Sequence, residues 1–128
     1  MNKIWLAILI YGLAANTDFA QAAECQPRRH AKLPIITNLP YPKARTRLLA
    51  ARWRPVQTLP NSAGAGNVAL SGEGYSLWRR GYREIAGCAG TGVAPCVFNF
   101  QDAYGNKLQV VTEGQNTPVV SRFHFWCK

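Results

Sequence analysis

The four cysteines of this chain constrain its fold more than any other feature of the sequence. They are widely spaced, and no two of them form a Cys-x-x-C pair. In an oxidising compartment an even set of such cysteines is read first as disulfides, whereas in the cytosol the same set would suggest metal or redox chemistry. Whether the chain is exported therefore decides whether its cysteines form disulfides that stabilise the fold. The cysteines are Cys25, Cys88, Cys96 and Cys127.

The amino-terminal residues predict export. Lys3 precedes an apolar run over residues 4–15, and residues 20–22 read Ala-Gln-Ala, the small-x-small pattern that signal peptidase accepts. The run is too short to span a bilayer, which needs about 20 apolar residues. We expect residues 1–22 to be a cleaved signal peptide and residues 23–128 to form a single small domain without a membrane span. Its location would be the bacterial periplasm or the medium.

The positions of the cysteines favour one of the three possible pairings. Cys88 and Cys96 flank a short loop with two glycines, so we expect them to bond to each other. Cys25 would then pair with Cys127, and this second disulfide would tie the two ends of the mature chain together.

The charge of the chain is strongly positive and unevenly distributed. The formal net charge is +9, and residues 23–83 carry eleven Lys and Arg against Glu24 and Glu73. A one-sided basic field raises the local concentration of anionic partners. In a bacterial envelope these partners are lipopolysaccharide and other lipid phosphates, nucleic acid or an acidic protein. The alternative is a basic protein with no specific anionic ligand.

Residues 43–52 are the best helix candidate. Pro42 suits the first helical turn, and alanine, leucine and arginine favour the helix. Leu48 and Leu49 are expected to point inward with Ala44.

The same helix is expected to carry a cationic stripe. If helical geometry persists to residue 54, then Lys43, Arg47 and Arg54 fall within about 40 degrees of one another at 3.6 residues per turn. We interpret them as candidate anion-binding residues; the alternative is that they are ordinary solvated cations.

The second half of the chain predicts an antiparallel sheet, because runs rich in β-branched and aromatic residues are separated by turn signals. The expected strands are 82–86, 96–101, 107–113 and 119–127, with a hairpin turn at 102–106 and an optional fifth strand within 53–59. The overall expectation is an α+β domain in which one main helix packs on a four- to five-stranded antiparallel sheet, stabilised by disulfides.

Alternation along two of these strands predicts the face that packs in the core. Phe98 and Phe100 share one face of their strand. In the last strand the alternation separates two sets of three residues. Phe123, Phe125 and Cys127 form one set, and Arg122, His124 and Trp126 form the other.

Most classes of enzyme find no support in the sequence. No serine lies in a Gly-x-Ser-x-Gly motif. The glycines of the predicted loop 61–74 do not match a dinucleotide fingerprint, so we expect no nucleotide cofactor. The two histidines and scattered carboxylates show no metal-ligand spacing, so we expect no metal. Glu84, in the stretch Arg-Arg-Gly-Tyr-Arg-Glu, is expected to pair with a neighbouring arginine and not to act as a general acid.

One catalytic hypothesis depends on the predicted pairing of Cys25 with Cys127. That bond would draw His30 and His124 toward each other among cationic side chains. Two imidazoles beside cations suit phosphodiester cleavage, in which one removes a proton from a 2′-hydroxyl and the other protonates the leaving oxygen. The alternative function is therefore a ribonuclease-like enzyme.

The aromatic residues favour binding over catalysis. Trp78, Arg79, Arg80 and Arg83 lie in a stretch where arginine alternates with aromatic residues, a composition typical of interface hot spots and of single-strand stacking surfaces. We therefore predict an exported, non-catalytic binding protein with an anionic partner. One version of this function is an inhibitor or immunity protein directed at an acidic target; the other binds an envelope polymer or nucleic acid.

Overall fold

The computed structural model describes residues 25–58, 72–90 and 92–126. They form a five-stranded antiparallel sheet and two helices, which confirms the α+β class and the antiparallel sheet. The elements in chain order are α1 (Tyr41–Ala50), β1 (Arg54–Pro55), α2 (Glu73–Arg79), β2 (Ile85–Cys88), β3 (Cys96–Gln101), β4 (Lys107–Glu113) and β5 (Val119–Trp126).

Strands β3, β4 and β5 form consecutive antiparallel hairpins, and two short strands share the other edge of β3. β2 pairs with the first half of β3, where Ile85 lies opposite Phe98. β1 pairs with its end, where Pro55 lies opposite Phe100. The segment around Trp53 therefore does supply a fifth strand, although it has only two residues.

A disulfide joins Cys88 to Cys96 at directly opposed positions of β2 and β3, which confirms the predicted pairing. Cys25 is also disulfide-bonded. Its predicted partner, Cys127, lies outside the described residues, as does the predicted signal peptide over residues 1–22. No helix within the described ranges is long and apolar enough to cross a membrane.

The core lies on one face of the sheet, as the alternation predicts. Phe98 and Phe100 are fully buried and lie opposite Val110 and Leu108, which are also buried. The ring of Tyr41 stacks on Phe98 with 3.7 Å between centroids, so the first residue of α1 anchors the helix against β3. Each such side chain stabilises the fold by about 1.5–3 kcal/mol through burial.

Helix α1 presents a different face to the core from the one expected. Ala44 and Leu48 are buried, but Leu49 is 41% exposed, so the prediction that it points inward is wrong. The reason is the helix phase: Tyr41 precedes the predicted start, and residues 41, 44 and 48 follow the i, i+3, i+7 spacing of one buried stripe.

The end of α1 separates Arg54 from the predicted cationic stripe. The helix ends at Ala50, and Arg52 adopts a positive φ of 71°, which terminates helical geometry. The side chain of Trp53 is then buried in the core, and Arg54 lies in β1, opposite Gln101 of β3. The stripe required a helix that continued to residue 54, so that condition is not met.

Residues before α1 form an arm that packs on the sheet without becoming a strand. Ile36 is fully buried, and the indole Nε1 of Trp53 donates to the carbonyl of Lys32 at 2.9 Å. Pro40 forms an isolated bridge with Val119, the first residue of β5.

The β3–β4 turn is built around the carboxylate of Asp102. Its Oδ1 accepts the backbone N–H groups of Tyr104 and Asn106 at 3.0 and 2.8 Å. Its Oδ2 accepts the side-chain amide of Asn106 and the backbone N–H of Ala31, both at 2.9 Å. Gly105 takes the positive φ of 84° that closes the predicted turn. Asp102 thereby attaches the arm to the sheet.

Two elements before β3 also differ from the predictions. The strand expected at 82–86 is displaced to Ile85–Cys88, because turns follow α2 as far as residue 84. Helix α2 was not predicted; it begins at Glu73, inside the predicted loop 61–74, most of which lies outside the described residues.

Candidate functional site

Helix α2 and the turn after it hold an arginine-rich surface. Gly74 and Leu77 bury one side of this seven-residue helix. After the helix, Gly81 adopts a φ of 108°, and the backbone N–H of Tyr82 donates to the carbonyl of Leu77 at 3.2 Å. The chain therefore folds back on the helix. Six side chains within 75–83 form what we name the arginine–aromatic cluster: Tyr75, Trp78, Arg79, Arg80, Tyr82 and Arg83.

Trp78 is the centre of one half of the cluster. The guanidinium of Arg83 lies over its ring, with Cζ 3.6 Å from the ring centroid. The indole Nε1 donates to the carbonyl of Thr58 at 2.9 Å. Tyr75 lies nearly parallel to the indole, at 6.1 Å between centroids and 11° between planes. The guanidinium of Arg79 is 5.9 Å from the Tyr75 centroid.

Tyr82 is the centre of the other half. Arg80 and Arg45 place their guanidinium carbons 5.9 and 6.0 Å from the centroid of its ring. Tyr41 packs against Tyr82 edge-on, at 5.3 Å between centroids. Tyr82 therefore connects the exposed cluster to the core side of α1.

A buried ion pair supports this half of the cluster. Glu84 is fully buried, and its Oε1 accepts both the hydroxyl of Tyr41 and Nε of Arg45, each at 2.6 Å. Glu84 therefore does pair with an arginine, but the partner is Arg45 on α1 and not one of the neighbouring arginines that the sequence predicted. Oε2 of Glu84 is buried and has no hydrogen-bond partner among the described residues.

The pKa values of both partners of Glu84 are displaced. Burial raises the pKa of the Tyr41 hydroxyl, and the negative charge of Glu84 raises it further, so this hydroxyl acts as a donor and not as an acid. The hydrogen bond to Glu84 raises the pKa of the Arg45 guanidinium against the opposing effect of its partial burial.

The three cations of the cluster have no carboxylate partner among the described residues. Among the described residues, Arg45–Glu84 is the only salt bridge. Arg79, Arg80 and Arg83 are exposed, and each is close to an aromatic ring and to no carboxylate oxygen within 4.0 Å in the described part of the chain. Their positive charge therefore remains available to an external anion.

The cluster presents charged and aromatic side chains to the solvent. Arg79, Arg80 and Arg83 are exposed, and Tyr75 is 43% exposed. Arginine and aromatic side chains that are exposed together are typical of surfaces that bind a large partner.

The cations predicted on α1 do not join the cluster through any described contact. Lys43 and Arg47 are exposed, and Arg47 uses Nη1 to donate to the carbonyl of Ile35 at 2.8 Å. Arg54 is exposed in β1 and lines a depression with Gln101 and Asp102. A binding role for these three residues stays a prediction.

The two histidines have separate partners. The ring of His30 lies against Phe125 at 5.0 Å between centroids, and its Nδ1 is 2.7 Å from the carbonyl oxygen of Ala31. His124 places Nε2 3.1 Å from Oε1 of Gln109, its partner residue in β4. Adjacent residues of a strand point to opposite faces, so Phe125 and His124 direct these contacts to different sides of β5. No described contact brings the two imidazoles together.

Three residues that contribute to this site were not predicted as site residues: Arg45, Tyr75 and Tyr82. Recognition of α2 would have indicated Tyr75, since residues 75, 78 and 79 follow the i, i+3, i+4 spacing of one helix face. Arg45 reaches Glu84 across 39 residues of sequence, and no local pattern signals such a pair.

Comparison of the chain with protein-family models, curated proteins and solved structures finds no match.

Proposed function

We propose that this protein binds an anionic partner through the arginine–aromatic cluster. The observation that carries the proposal is the set of three exposed guanidinium groups, on Arg79, Arg80 and Arg83, that lie over aromatic rings without a carboxylate partner in the described structure. An unneutralised group of this kind attracts and orients an anion.

The aromatic rings support binding because they restrict the arginines before the partner arrives. A side chain that is ordered only on binding costs about 0.5–1.5 kcal/mol of affinity. Arg83, whose Cζ lies 3.6 Å above the Trp78 ring, is already held in this way. Trp78 is in turn fixed by its hydrogen bond to Thr58.

The rest of the chain is consistent with the same function. Its net charge of +9 favours rapid encounter with acidic molecules. The working form that we propose is exported to the periplasm or the medium as residues 23–128. There it would act as a small disulfide-stabilised binding protein, for example an inhibitor of an acidic enzyme or a protein that binds an envelope polyanion.

The alternative of a ribonuclease-like enzyme is not favoured by the described contacts. His30 and His124 make separate contacts, and neither lies within the arginine–aromatic cluster. We therefore do not assign a catalytic role to either residue.

The test compares two variants that remove the same amount of charge. One replaces the exposed cations of the cluster by glutamine (Arg79→Gln, Arg80→Gln, Arg83→Gln). The control replaces three exposed cations elsewhere (Arg28→Gln, Lys32→Gln, Arg52→Gln). Binding to heparin, oligothymidylate and oligoglutamate is measured by titration calorimetry at low salt.

We expect the cluster variant to lose at least about tenfold in affinity for the probes that the wild type binds, and the control to lose less than about threefold. Equal losses in both variants would refute a localised site. A separate experiment tests the proposed export. The protein is purified from the envelope or the medium of its host, and its amino-terminal residue is identified; we expect Ala23.

A further inference from the structure

We infer that the anionic partner is an acidic protein surface, whose carboxylates are bound by the outward edges of the cluster's guanidinium groups. This inference rests on the proposed function and adds the class of partner and the mode of recognition. It follows from which parts of the cluster are already occupied within the chain itself.

Two of the three aromatic rings of the cluster, those of Trp78 and Tyr82, already contact guanidinium groups of the chain itself. Trp78 has Arg83 over its ring and Tyr75 parallel to it, and Tyr82 has two guanidinium groups within 6.0 Å of its centroid. Proteins that bind single-stranded nucleic acid need aromatic faces on which bases stack. A base would have to displace Arg83 from the Trp78 ring, so base stacking is disfavoured here.

The guanidinium groups retain the part that recognises oxyanions. A guanidinium that stacks on an aromatic ring keeps its in-plane N–H donors free for another group. Arg83, with Cζ 3.6 Å from the Trp78 centroid, is at stacking distance, and the Cζ atoms of Arg79 and Arg80 lie 5.9 Å from their ring centroids. The Trp78 Nε1–H is satisfied within the chain by Thr58, so the indole offers no donor of its own. The remaining donors are arginine forks, which match a planar carboxylate with two parallel hydrogen bonds.

The composition of the cluster favours a protein over a charged polymer. A polymer that is bound through its charge density requires cations but gains little from aromatic surface. This cluster contains three aromatic side chains, and Tyr75 is 43% exposed beside the arginines. Tyr, Trp and Arg are enriched at protein interfaces, where a partner covers the aromatic surface and excludes water from the ion pairs.

The experiment separates fork recognition from simple positive charge. The variant Arg79→Lys, Arg80→Lys, Arg83→Lys keeps the net charge but removes the planar forks. Its binding to oligoglutamate, oligothymidylate and heparin is compared with that of the wild type and of the glutamine variant described above. Thermal unfolding of each variant checks that the fold is retained.

We expect the wild type to bind oligoglutamate more tightly than oligothymidylate at equal ionic strength. The lysine variant should lose about tenfold in affinity for oligoglutamate and less than about threefold for heparin, because heparin binding follows charge. In a Trp126→Phe background, which removes the exposed tryptophan outside the cluster, oligothymidylate should not quench Trp fluorescence, since no base stacks on Trp78.

Three results would contradict the inference, and they differ from failure of the proposed function. A lysine variant that binds oligoglutamate like the wild type would exclude fork recognition. Tighter binding of oligothymidylate with quenching of Trp fluorescence would identify a nucleic-acid ligand, and preference for heparin over oligoglutamate would identify a polymer. If the wild type bound none of the probes, the proposed function itself would be refuted.

Discussion

Two buried carboxylates attach the basic amino-terminal half of the chain to the sheet, and they do so in different ways. Glu84 is fully buried and reaches α1 through the Tyr41 hydroxyl and the Arg45 guanidinium, both on Oε1. Asp102 is 5% exposed and is held by N–H groups alone, two on each oxygen. The first attachment depends on a cation and the second on the shape of a turn.

The comparison shows how the arrangement of donors decides what a buried charge requires. Asp102 is bonded mostly to its own turn, with one donor from the arm, so most of its partners are present once the hairpin forms. The described donors to the Glu84 carboxylate, Tyr41 and Arg45, both come from α1, and Oε2 has no partner in the described structure. The charge of Glu84 is therefore compensated mainly by Arg45, so this ion pair adds to the apolar contacts that hold α1 against the sheet.

The largest effect is expected from Glu84→Ala. The change removes the partner of a partly buried guanidinium and of a buried hydroxyl, and it leaves a cavity beside Tyr41. Loss of one member of a buried ion pair costs about 3–5 kcal/mol, and because Arg45 remains 28% exposed we expect about 3 kcal/mol. Urea unfolding measures the difference.

The control for this prediction is Glu113→Ala, which removes an exposed carboxylate at the end of β4 and should change the free energy of unfolding by less than about 0.5 kcal/mol. A loss below about 1 kcal/mol in Glu84→Ala would mean that the ion pair does not hold α1 to the sheet.

Asp102→Asn should have the next largest effect, because the amide replaces a charged acceptor of four hydrogen bonds by a neutral group with its own donors. We expect a loss of about 2 kcal/mol in the free energy of unfolding at neutral pH. Burial opposes ionisation of Asp102, but the hydrogen bonds from Asn106, Ala31 and Tyr104 outweigh it and lower its pKa.

The sign of the pH effect follows from that lowered pKa. The stabilisation by Asp102 is complete above its unfolded pKa of about 3.9 and is lost as the pH falls below that value through the folded pKa. As the pH falls below about 4, the wild type should therefore lose more stability than Asp102→Asn, as measured by urea unfolding. If the free energies of unfolding of the two proteins fell in parallel with pH, Asp102 would not be the source of the acid sensitivity.

Arg83→Ala should have the smallest effect on stability, since an exposed cation–π contact contributes about 0.5–1 kcal/mol. In contrast to the Glu84 variant, it should unfold almost like the wild type and lose affinity for oligoglutamate. Parallel measurement of urea unfolding and binding checks this. A loss of several kcal/mol would show that Arg83 serves the fold and not a partner.

The parts of the fold that were predicted correctly are those whose pattern is local. Strands β3 and β4 have the predicted bounds because Phe98 and Phe100 alternate with polar residues and a turn follows. Helix α2 was missed because it has seven residues beside several glycines and is stabilised by burial of Leu77, a tertiary contact. Leu49 was misplaced because Tyr41, outside the predicted helix, sets the buried face.

The residues of the candidate site could also be predicted where the signal was local, whereas the long-range contacts between them could not. Trp78 and the three arginines of residues 79–83 lie close together in sequence, so composition alone was enough to predict that they form a binding surface. The contacts that organise them, from Arg45 to Tyr82 and from Trp78 to Thr58, join residues 37 and 20 positions apart, and composition does not encode such partners.

The irregular pairing of β4 with β5 disfavours the addition of a strand from another molecule at the edge of the sheet. The register shifts between Val111 and Thr112, and the neighbouring residue on β5, Arg122, is exposed. A bulge distorts the row of backbone groups that an incoming strand would need, and a charged side chain next to it repels an identical copy. The terminal strand of this sheet is thus guarded against the edge-to-edge stacking by which β-proteins aggregate.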